Sequence, residues 1–248
     1  MKIILLSYNE IHRGTLILVN GAHAFDESAV QELIPIHSDG DALLQSSASH
    51  ALNRLMSAVR GWQEIAFVSA WRSRGEQQRI WDDSLRENGP EFTRTYVALP
   101  GHSEHETGLA IDLGARREHI DFIRPEFPYT GVCGTFREKA ADYGFVLRYP
   151  KGREQVTGIG HEPWHFRYVG IPHARIMREQ DMTLEEYTDY LRRFPYKNSL
   201  CFWENGGQKA AISYIEAQQE PIRLELPDHC LYTLSGNNVD GFILTEWR

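Results

Sequence analysis

The sequence has little of what would indicate an oxidising compartment, a membrane or a nucleic-acid partner. Its 248 residues include only three cysteines, Cys133, Cys201 and Cys230, which lie far apart and form no C-x-x-C pair. This spacing indicates neither a disulfide framework nor a cysteine zinc site. No apolar run approaches the ~18 residues of a membrane span. No long basic run is present, and the formal net charge of −8, from 26 basic and 34 acidic residues, disfavours a general nucleic-acid binder.

The N-terminus also lacks the pattern of a secretory signal peptide. The four apolar residues Ile3–Leu6 are followed directly by the polar Ser7–Glu10, whereas a signal-peptide core needs about 7 to 15 apolar residues. We therefore expect a cytoplasmic protein that binds neither nucleic acid nor membrane. The length and the 42% hydrophobic content are typical of one large globular domain, or of one domain with a small appendage.

Hydrophobic periodicity predicts a mixture of helices and strands. Helices are predicted over residues 46–60, 73–88, 134–143 and 183–194, from 3.6-residue spacing and from capping boxes at Ser73 and Thr183. Strands are predicted over residues 15–20, 66–71, 108–113, 145–149 and 164–169. Beyond Pro195 the pattern becomes all strand, at residues 211–217, 222–226, 231–234 and 242–247. Residues 198–248 are therefore predicted to form a small β appendage.

Histidines and acidic residues concentrate in two segments, residues 101–112 and 161–165. The second reads His-Glu-Pro-Trp-His and matches H-E-x-x-H, a zinc-binding helix motif that needs both histidines one helical turn apart. Pro163 lies between them and cannot donate the helical hydrogen bond. We therefore reject the helix motif and expect Trp164–Val169 to be a strand.

One histidine from each segment, together with one carboxylate, makes a better metal site. Asp112 lies on an otherwise apolar predicted strand and, if buried, needs a partner. With His105 just before that strand and His165 on the next, it completes the three protein ligands that catalytic zinc commonly takes. Glu162, three residues before His165, can then act as general base. Residues i and i+3 of a straight strand face opposite ways, so this arrangement requires a bend at Pro163.

Two motifs, in this order, carry a family resemblance: Ser103-x-His105-x-x-Gly108-x-Ala110-x-Asp112 and Glu162-Pro-Trp-His165. They resemble the D-alanyl-D-alanine peptidase family of zinc enzymes, which includes the VanX dipeptidases, the VanY carboxypeptidases and the bifunctional VanXY enzymes. The resemblance covers about residues 15–195 and is closest to the VanXY type. The stretch Ser235–Phe242 is similar to the extended VanXY type of the G-type vancomycin-resistance cluster.

The resemblance implies an α+β fold, with a central, mainly antiparallel sheet, flanking helices and a zinc site. It implies a zinc D,D-peptidase catalytic domain over residues 1–197 and a C-terminal β extension over residues 198–248. The implied substrates are D-Ala-D-Ala, free or at the end of the peptidoglycan-precursor pentapeptide. Their hydrolysis removes the target of vancomycin.

The resemblance also implies a role for each candidate site residue. The implied zinc ligands are His105, Asp112 and His165, and the implied general base is Glu162. Arg72 is implied as the arginine that stabilises the tetrahedral transition state, which suits a fixed cation beside a developing oxyanion. Ser103 and Gln77 are implied to bind the C-terminal carboxylate of the substrate or adjacent polar groups.

Two alternatives stay open at this point. One is a related peptidase that cuts L-Ala-D-Glu, as in some phage lysins. The other is a non-catalytic zinc-stabilised binding module, because the Hedgehog signalling domain resembles this fold. Glu162 and Arg72 favour an enzyme, since a purely structural zinc site would need neither.

Overall fold

A computed structural model describes residues 1–37, 40–197, 201–205 and 208–247. Its helices are α1 Ser46–Val59, α2 Arg74–Tyr96, α3 Gly131–Ala140, α4 Glu154–Thr157, α5 His173–Gln180 and α6 Leu184–Leu191. Its strands are β1 Lys2–Leu6, β2 Leu33–Pro35, β3 Leu43–Gln45, β4 Ile65–Ser69, β5 Ala110–Ala115, β6 Phe145–Tyr149, β7 Glu162–Tyr168, β8 Cys201–Asn205, β9 Gln208–Glu216, β10 Ile222–Leu226, β11 Leu231–Gly236 and β12 Gly241–Trp247. In this part of the chain no helix is both long and apolar enough to cross a membrane.

The chain divides into two compact units. The first, called here the site unit, is Val19–Thr183, and the second, the terminal unit, combines Met1–Leu18 with Leu184–Arg248. The site unit contains a four-stranded antiparallel sheet in the order β4-β5-β7-β6, together with α1 to α5 and the β2–β3 pair. This confirms the predicted α+β fold with a central antiparallel sheet.

Strand β5 lies inside that sheet, between β4 and β7. Its apolar side chains Ile111 and Leu113 are fully buried, and so is Leu109 just before it. Burial of the other face as well places Asp112 in the interior at 6% exposure. A carboxylate at such a position needs partners inside the protein, and its neighbours are described below.

Strand β7 confirms that His161–His165 is not a helix, because Glu162 begins a strand. Its register against β6 shifts: Leu147 lies opposite Phe166, and Tyr149 lies opposite Glu162. Strand β7 thus advances four residues where β6 advances two. This irregularity supplies the predicted bend at Pro163, a residue that suits such a site because it has no N–H to donate to the ladder.

Two of the predicted helices correspond to α1 and α2, and the sequence explains where α2 begins and breaks. Helix α1 confirms the helix predicted over residues 46–60. Helix α2 begins after Ser73, whose side chain accepts a hydrogen bond from the N–H of Glu76 over 3.2 Å. It extends beyond the predicted end near Asn88, although the predicted stop is visible as a break: Gly89 has a φ of 80°, outside helical geometry. Pro90 then opens a further helical stretch, a position that proline tolerates well.

The strand predicted over residues 15–20 is wrong. The backbone N–H of Leu16 donates to the hydroxyl of Ser235 over 2.9 Å, and the N–H of Leu18 donates to the carbonyl of Asn237 over 3.0 Å. Residues 235–237 therefore satisfy the backbone donors of Leu16 and Leu18, and the N–H of Asn20 donates to the carbonyl of His23 over 3.1 Å.

The terminal unit contains the C-terminal strands that the alternating pattern predicts. Strands β11-β12-β9-β8 form an antiparallel sheet, and β1 pairs antiparallel with β10, from Lys2 opposite Leu226 to Leu6 opposite Ile222. A buried cluster that includes Ile11, Phe242 and Leu244 forms its core.

The limits of these compact units differ from the predicted division between residues 197 and 198. Pairing of β1 with β10 puts the first residues of the chain in the terminal unit, and α6 belongs to the same unit. Residue 198, the predicted start of the extension, lies outside the described residues. The assignment of residues 1–197 to catalysis and of 198–248 to an extension stays a prediction.

Candidate active site

Three side chains predicted as metal ligands converge on the central sheet. His105 lies in the short helical turn Glu104–Thr107, Asp112 lies on β5, and His165 lies on β7 directly opposite Asp112 in the antiparallel register. The Nε2 atom of His105 is 3.0 Å from Oδ2 of Asp112, and the Nδ1 atom of His165 is 2.9 Å from Oδ1. One potential ligand atom from each residue lies within 4.8 Å of the others.

The donor set and its surroundings fit a zinc ion. Two imidazole nitrogens and one carboxylate oxygen are ligands that zinc prefers, and a fourth position stays available in catalytic sites. All three residues are at most 6% exposed. The other ring nitrogen of His105, Nδ1, lies 2.7 Å from the carbonyl oxygen of Ala70. A hydrogen bond from Nδ1–H to that carbonyl leaves the Nε2 lone pair directed at Asp112 and available to a metal.

The electrostatics of the triad also favour a bound cation. Burial alone would raise the pKa of Asp112, but the charges and hydrogen bonds of His105 and His165 lower it well below its usual range. Burial and the charge of Arg72 lower the pKa of His105 to about 4. Burial opposes protonation of His165, yet Asp112 raises its pKa to about 9. Asp112 thus stabilises the protonated form of His165, and a bound metal ion would take the place of that proton.

Glu162 lies beside the triad, as the predicted bend requires. Its Oε2 atom is 3.7 Å from Nδ1 of His165, and the residue is 5% exposed. Burial raises the pKa of Glu162 to about 8, although the charges of His165 and Arg72 oppose the rise. A carboxyl group with a pKa near neutrality can both accept and return a proton.

Arg72 lies beside the same centre, just after β4. One of its terminal nitrogens is 3.4 Å from Oδ2 of Asp112, and the other donates to Oε1 of Gln77 over 3.0 Å. Its Nε is buried and has no hydrogen-bond partner among the described residues. Burial lowers the pKa of Arg72, whereas the charge of Asp112 raises it. The buried side chain therefore retains one N–H that is not used within the described residues.

The two predicted substrate-binding residues face the same cleft. Ser103 and Gln77 are 3% and 1% exposed, and both line it. The amide nitrogen of Gln77 donates to the carbonyl of Ala98 over 2.8 Å. Since the amide nitrogen carries two hydrogens and Ala98 accepts one of them, Gln77 retains one N–H hydrogen for another acceptor.

The cleft also has an apolar side. It occupies about 500 Å³, including its open mouth, and Phe122, Ile123, Ile159 and Trp164 contribute to its lining. The ring of Tyr149 packs against that of His165, with 4.8 Å between centroids. Sequence spacing gives no signal for Tyr149, because the register shift of β6 against β7 brings it there.

Comparison with known protein families identifies a matching family model. The model described as "VanY: D-alanyl-D-alanine carboxypeptidase" matches residues 41–171, which span more than half of the chain. The matched segment contains all seven predicted site residues.

Similar proteins include a curated relative and two solved structures. The chain is 42% identical over 181 residues, 72% of this chain and 95% of the relative, to the bifunctional D-Ala-D-Ala dipeptidase and carboxypeptidase VanXYC of Enterococcus gallinarum. A crystal structure of the D,D-dipeptidase VanXYg in complex with a D-Ala-D-Ala phosphinate analog superposes with a TM-score of 0.97 at 44% identity, over 100% of this chain and 99% of that one. A crystal structure of the D,D-pentapeptidase VanY in complex with Zn(II), from a VanB-type resistance cassette, gives a TM-score of 0.58 at 31% identity, over 70% of this chain and 98% of that one.

Proposed function

Because the chain belongs to the VanY family of D-alanyl-D-alanine carboxypeptidases, we propose that it is a zinc-dependent D,D-peptidase that acts in vancomycin resistance. The proposed substrates are free D-Ala-D-Ala and the terminal D-alanine of the peptidoglycan-precursor pentapeptide. The bifunctional relative, at 42% identity, supports both activities. The VanXYg structure in complex with a D-Ala-D-Ala phosphinate analog supports a small peptide substrate.

One observation carries the proposal: a buried His105–Asp112–His165 triad lies in the same cleft as Glu162 and Arg72. A structural zinc site is closed and needs neither a general base nor a second cation. Here a buried carboxyl group and a buried guanidinium lie beside three potential ligands. This combination favours hydrolysis over a zinc-stabilised binding module.

The triad would hold zinc through Nε2 of His105, a carboxylate oxygen of Asp112 and Nδ1 of His165. When bound, zinc supplies Lewis acidity to the scissile carbonyl and to the attacking water. Glu162 takes a proton from that water and returns it to the leaving amino group of D-alanine. Arg72 donates its N–H groups to the oxygen that becomes negative in the tetrahedral transition state. Its buried, fixed position means that little reorganisation is needed as this charge develops.

Ser103 and Gln77 are proposed to bind the C-terminal carboxylate of the substrate. The Ser103 hydroxyl and the second N–H hydrogen of Gln77 are neutral donors. Both lie in a cleft where the guanidinium of Arg72 adds positive charge. In a protein with a formal net charge of −8, this local positive charge favours an anionic peptide terminus. We place the reaction in the cytoplasm, where peptidoglycan precursors are made.

The test is release of D-alanine from D-Ala-D-Ala and from the pentapeptide, measured before and after treatment with a zinc chelator. We expect release from both substrates, loss on chelation and recovery when zinc is restored. An L-Ala-D-Glu peptide is included as a competing substrate. Cleavage of that peptide alone, or zinc binding without hydrolysis of any peptide, would overturn the proposal in favour of the corresponding alternative.

A further inference from the structure

A second group of buried charges lies directly behind the metal triad. Glu104 is 1% exposed, Arg148 1% and Arg167 0%. The Oε1 atom of Glu104 accepts hydrogen bonds from Nε of Arg148 over 2.8 Å and from Nη1 of Arg167 over 2.6 Å. We call these three residues the ion cluster. Burial of three charges is costly, so the position of the cluster calls for an explanation.

The ion cluster takes its three residues from three different elements of the fold. Arg167 follows His165 by two residues on β7, so both side chains point to the same face of the sheet. Opposite Arg167 on β5 lies Ala110, which has a small side chain. Arg148 lies on β6, between the two residues where the register shifts. Glu104 begins the turn that carries the ligand His105.

The two arginines fix the orientation of the Glu104 carboxylate. Both bind the same oxygen, Oε1, and the other oxygen, Oε2, lies 3.4 Å from Nε2 of His165. A carboxylate held at one oxygen by two guanidinium groups has little freedom to turn away from the ring. Nε2 is the ring nitrogen of His165 that does not face Asp112.

We propose that Glu104 is a positioning residue for the metal centre: it accepts the Nε2–H of His165 and so keeps the Nδ1 lone pair directed at the metal. Arg148 and Arg167 hold Glu104 in that role. A carboxylate behind a ligating histidine fixes the tautomer and orientation of the ring and raises its basicity as a ligand. The inference rests on the proposed function, because it assigns a task at the same zinc site.

The competing explanation is that the ion cluster only stabilises the fold. Metal affinity separates the two explanations, because a purely structural ion cluster would not set the tautomer of His165. The test replaces Glu104 by Gln, which retains its shape but presents either an uncharged oxygen or an N–H group to the ring. The dissociation constant for zinc is measured in the full-length protein by competition with a chromophoric chelator.

Glu106→Gln is the matched control. Glu106 lies in the same turn and is 2% exposed, but its carboxylate accepts hydrogen bonds from Arg74 over 3.1 Å and from the N–H of Gly101 over 2.7 Å. We expect Glu104→Gln to weaken zinc binding by about 10- to 100-fold and Glu106→Gln to leave it unchanged. Equal zinc affinity in wild-type protein and a folded Glu104→Gln variant would overturn the inference, even if D-alanine release by the wild type upholds the proposed function.

A second measurement on the zinc-loaded wild-type protein keeps the inference testable if Glu104→Gln does not fold. Long-range proton–nitrogen NMR spectra of the histidine rings identify which nitrogen carries the proton. We expect His165 to carry it on Nε2 and to bind zinc through Nδ1. A proton on Nδ1, with zinc on Nε2, would overturn the inference. A wild-type protein that binds no zinc would overturn the inference and the proposed function together.

Discussion

The guanidinium of Arg72 donates a hydrogen bond to the side-chain oxygen of Gln77 over 3.0 Å, and both residues are buried. The amide nitrogen of Gln77 in turn donates to the carbonyl of Ala98. The amide thus links the guanidinium to the backbone and fixes its orientation beside Asp112. Gln77 therefore has a contact that suits a positioning role, in addition to the proposed contact with the substrate carboxylate.

These two roles of Gln77 predict different kinetic effects of the substitution Gln77→Met. Loss of the bond to Arg72 lowers kcat, because the guanidinium then stabilises the transition state less well, and we expect a decrease of roughly 10- to 100-fold from the worth of a charge-assisted hydrogen bond. Zinc content stays unchanged. The measurement is kcat and KM for D-Ala-D-Ala, with Gln78→Met as the control, since Gln78 is the exposed neighbour on α2. A rise in KM alone would show that Gln77 acts only in substrate binding.

Replacement of Glu162 by Gln separates proton transfer from metal binding. Its carboxyl group lies beside His165 but is not a member of the triad, so zinc content should stay at the wild-type level. Turnover should fall by about 10²- to 10⁴-fold, the usual contribution of a positioned general base. Metal analysis and D-alanine release on the same sample check both points. Glu154→Gln, at an exposed glutamate, is the control. Retention of wild-type turnover would exclude Glu162 as the base.

The sequence predicts the centre of the site better than its surroundings, for physical reasons. A carboxylate is unusual on an apolar strand, as at Asp112, and a proline is unusual inside a helical zinc motif, as at Pro163. Each departure has one simple explanation. The explanations are a buried partner for Asp112 and a bend at Pro163. The structure contains both: two imidazoles face Asp112, and the register shifts around Pro163.

The structure around the centre of the site depends on contacts between residues far apart in the sequence, which local sequence patterns do not encode. Lys2 lies opposite Leu226 in a strand pair that joins the two ends of the chain, and the contacts of Leu16 with Ser235 replace the predicted strand. Glu104 shows the same limit inside the site. It stands next to His105 in the sequence, but its arginine partners come from strands β6 and β7. The local sequence therefore does not distinguish Glu104 from a glutamate on the surface.

Removal of zinc should destabilise the protein as well as inactivate it. Zinc would bind the folded triad and has little affinity for the unfolded chain, so its binding energy adds to the free energy of unfolding. At a free zinc concentration of 100 times the dissociation constant, the gain is about 2.7 kcal/mol. Thermal unfolding with zinc and with chelator measures the difference. His165→Gln should abolish the zinc-dependent shift in Tm, whereas His119→Gln, at an exposed histidine, should retain it. A zinc-dependent shift that persists in His165→Gln would place the ion elsewhere.

His173 should make the protein less stable in acid by a mechanism separate from the metal site. This first residue of α5 is 4% exposed, and burial lowers the pKa of its imidazole to about 3. In the unfolded chain the same group has a pKa of about 6.5. Below that pH the unfolded chain takes up a proton that the folded protein does not, so the free energy of unfolding falls as the pH decreases from about 6.5 towards 3.

The slope attributable to His173 is at most about 1.4 kcal/mol per pH unit, the value for one proton. We expect His173→Gln to remove this contribution between about pH 4 and 6, whatever its effect on stability at neutral pH. Urea unfolding of both proteins in the presence of chelator, over this range, gives the two slopes without a contribution from zinc release. Equal slopes would mean that His173 is protonated in the folded state, so that its burial does not exclude the charge.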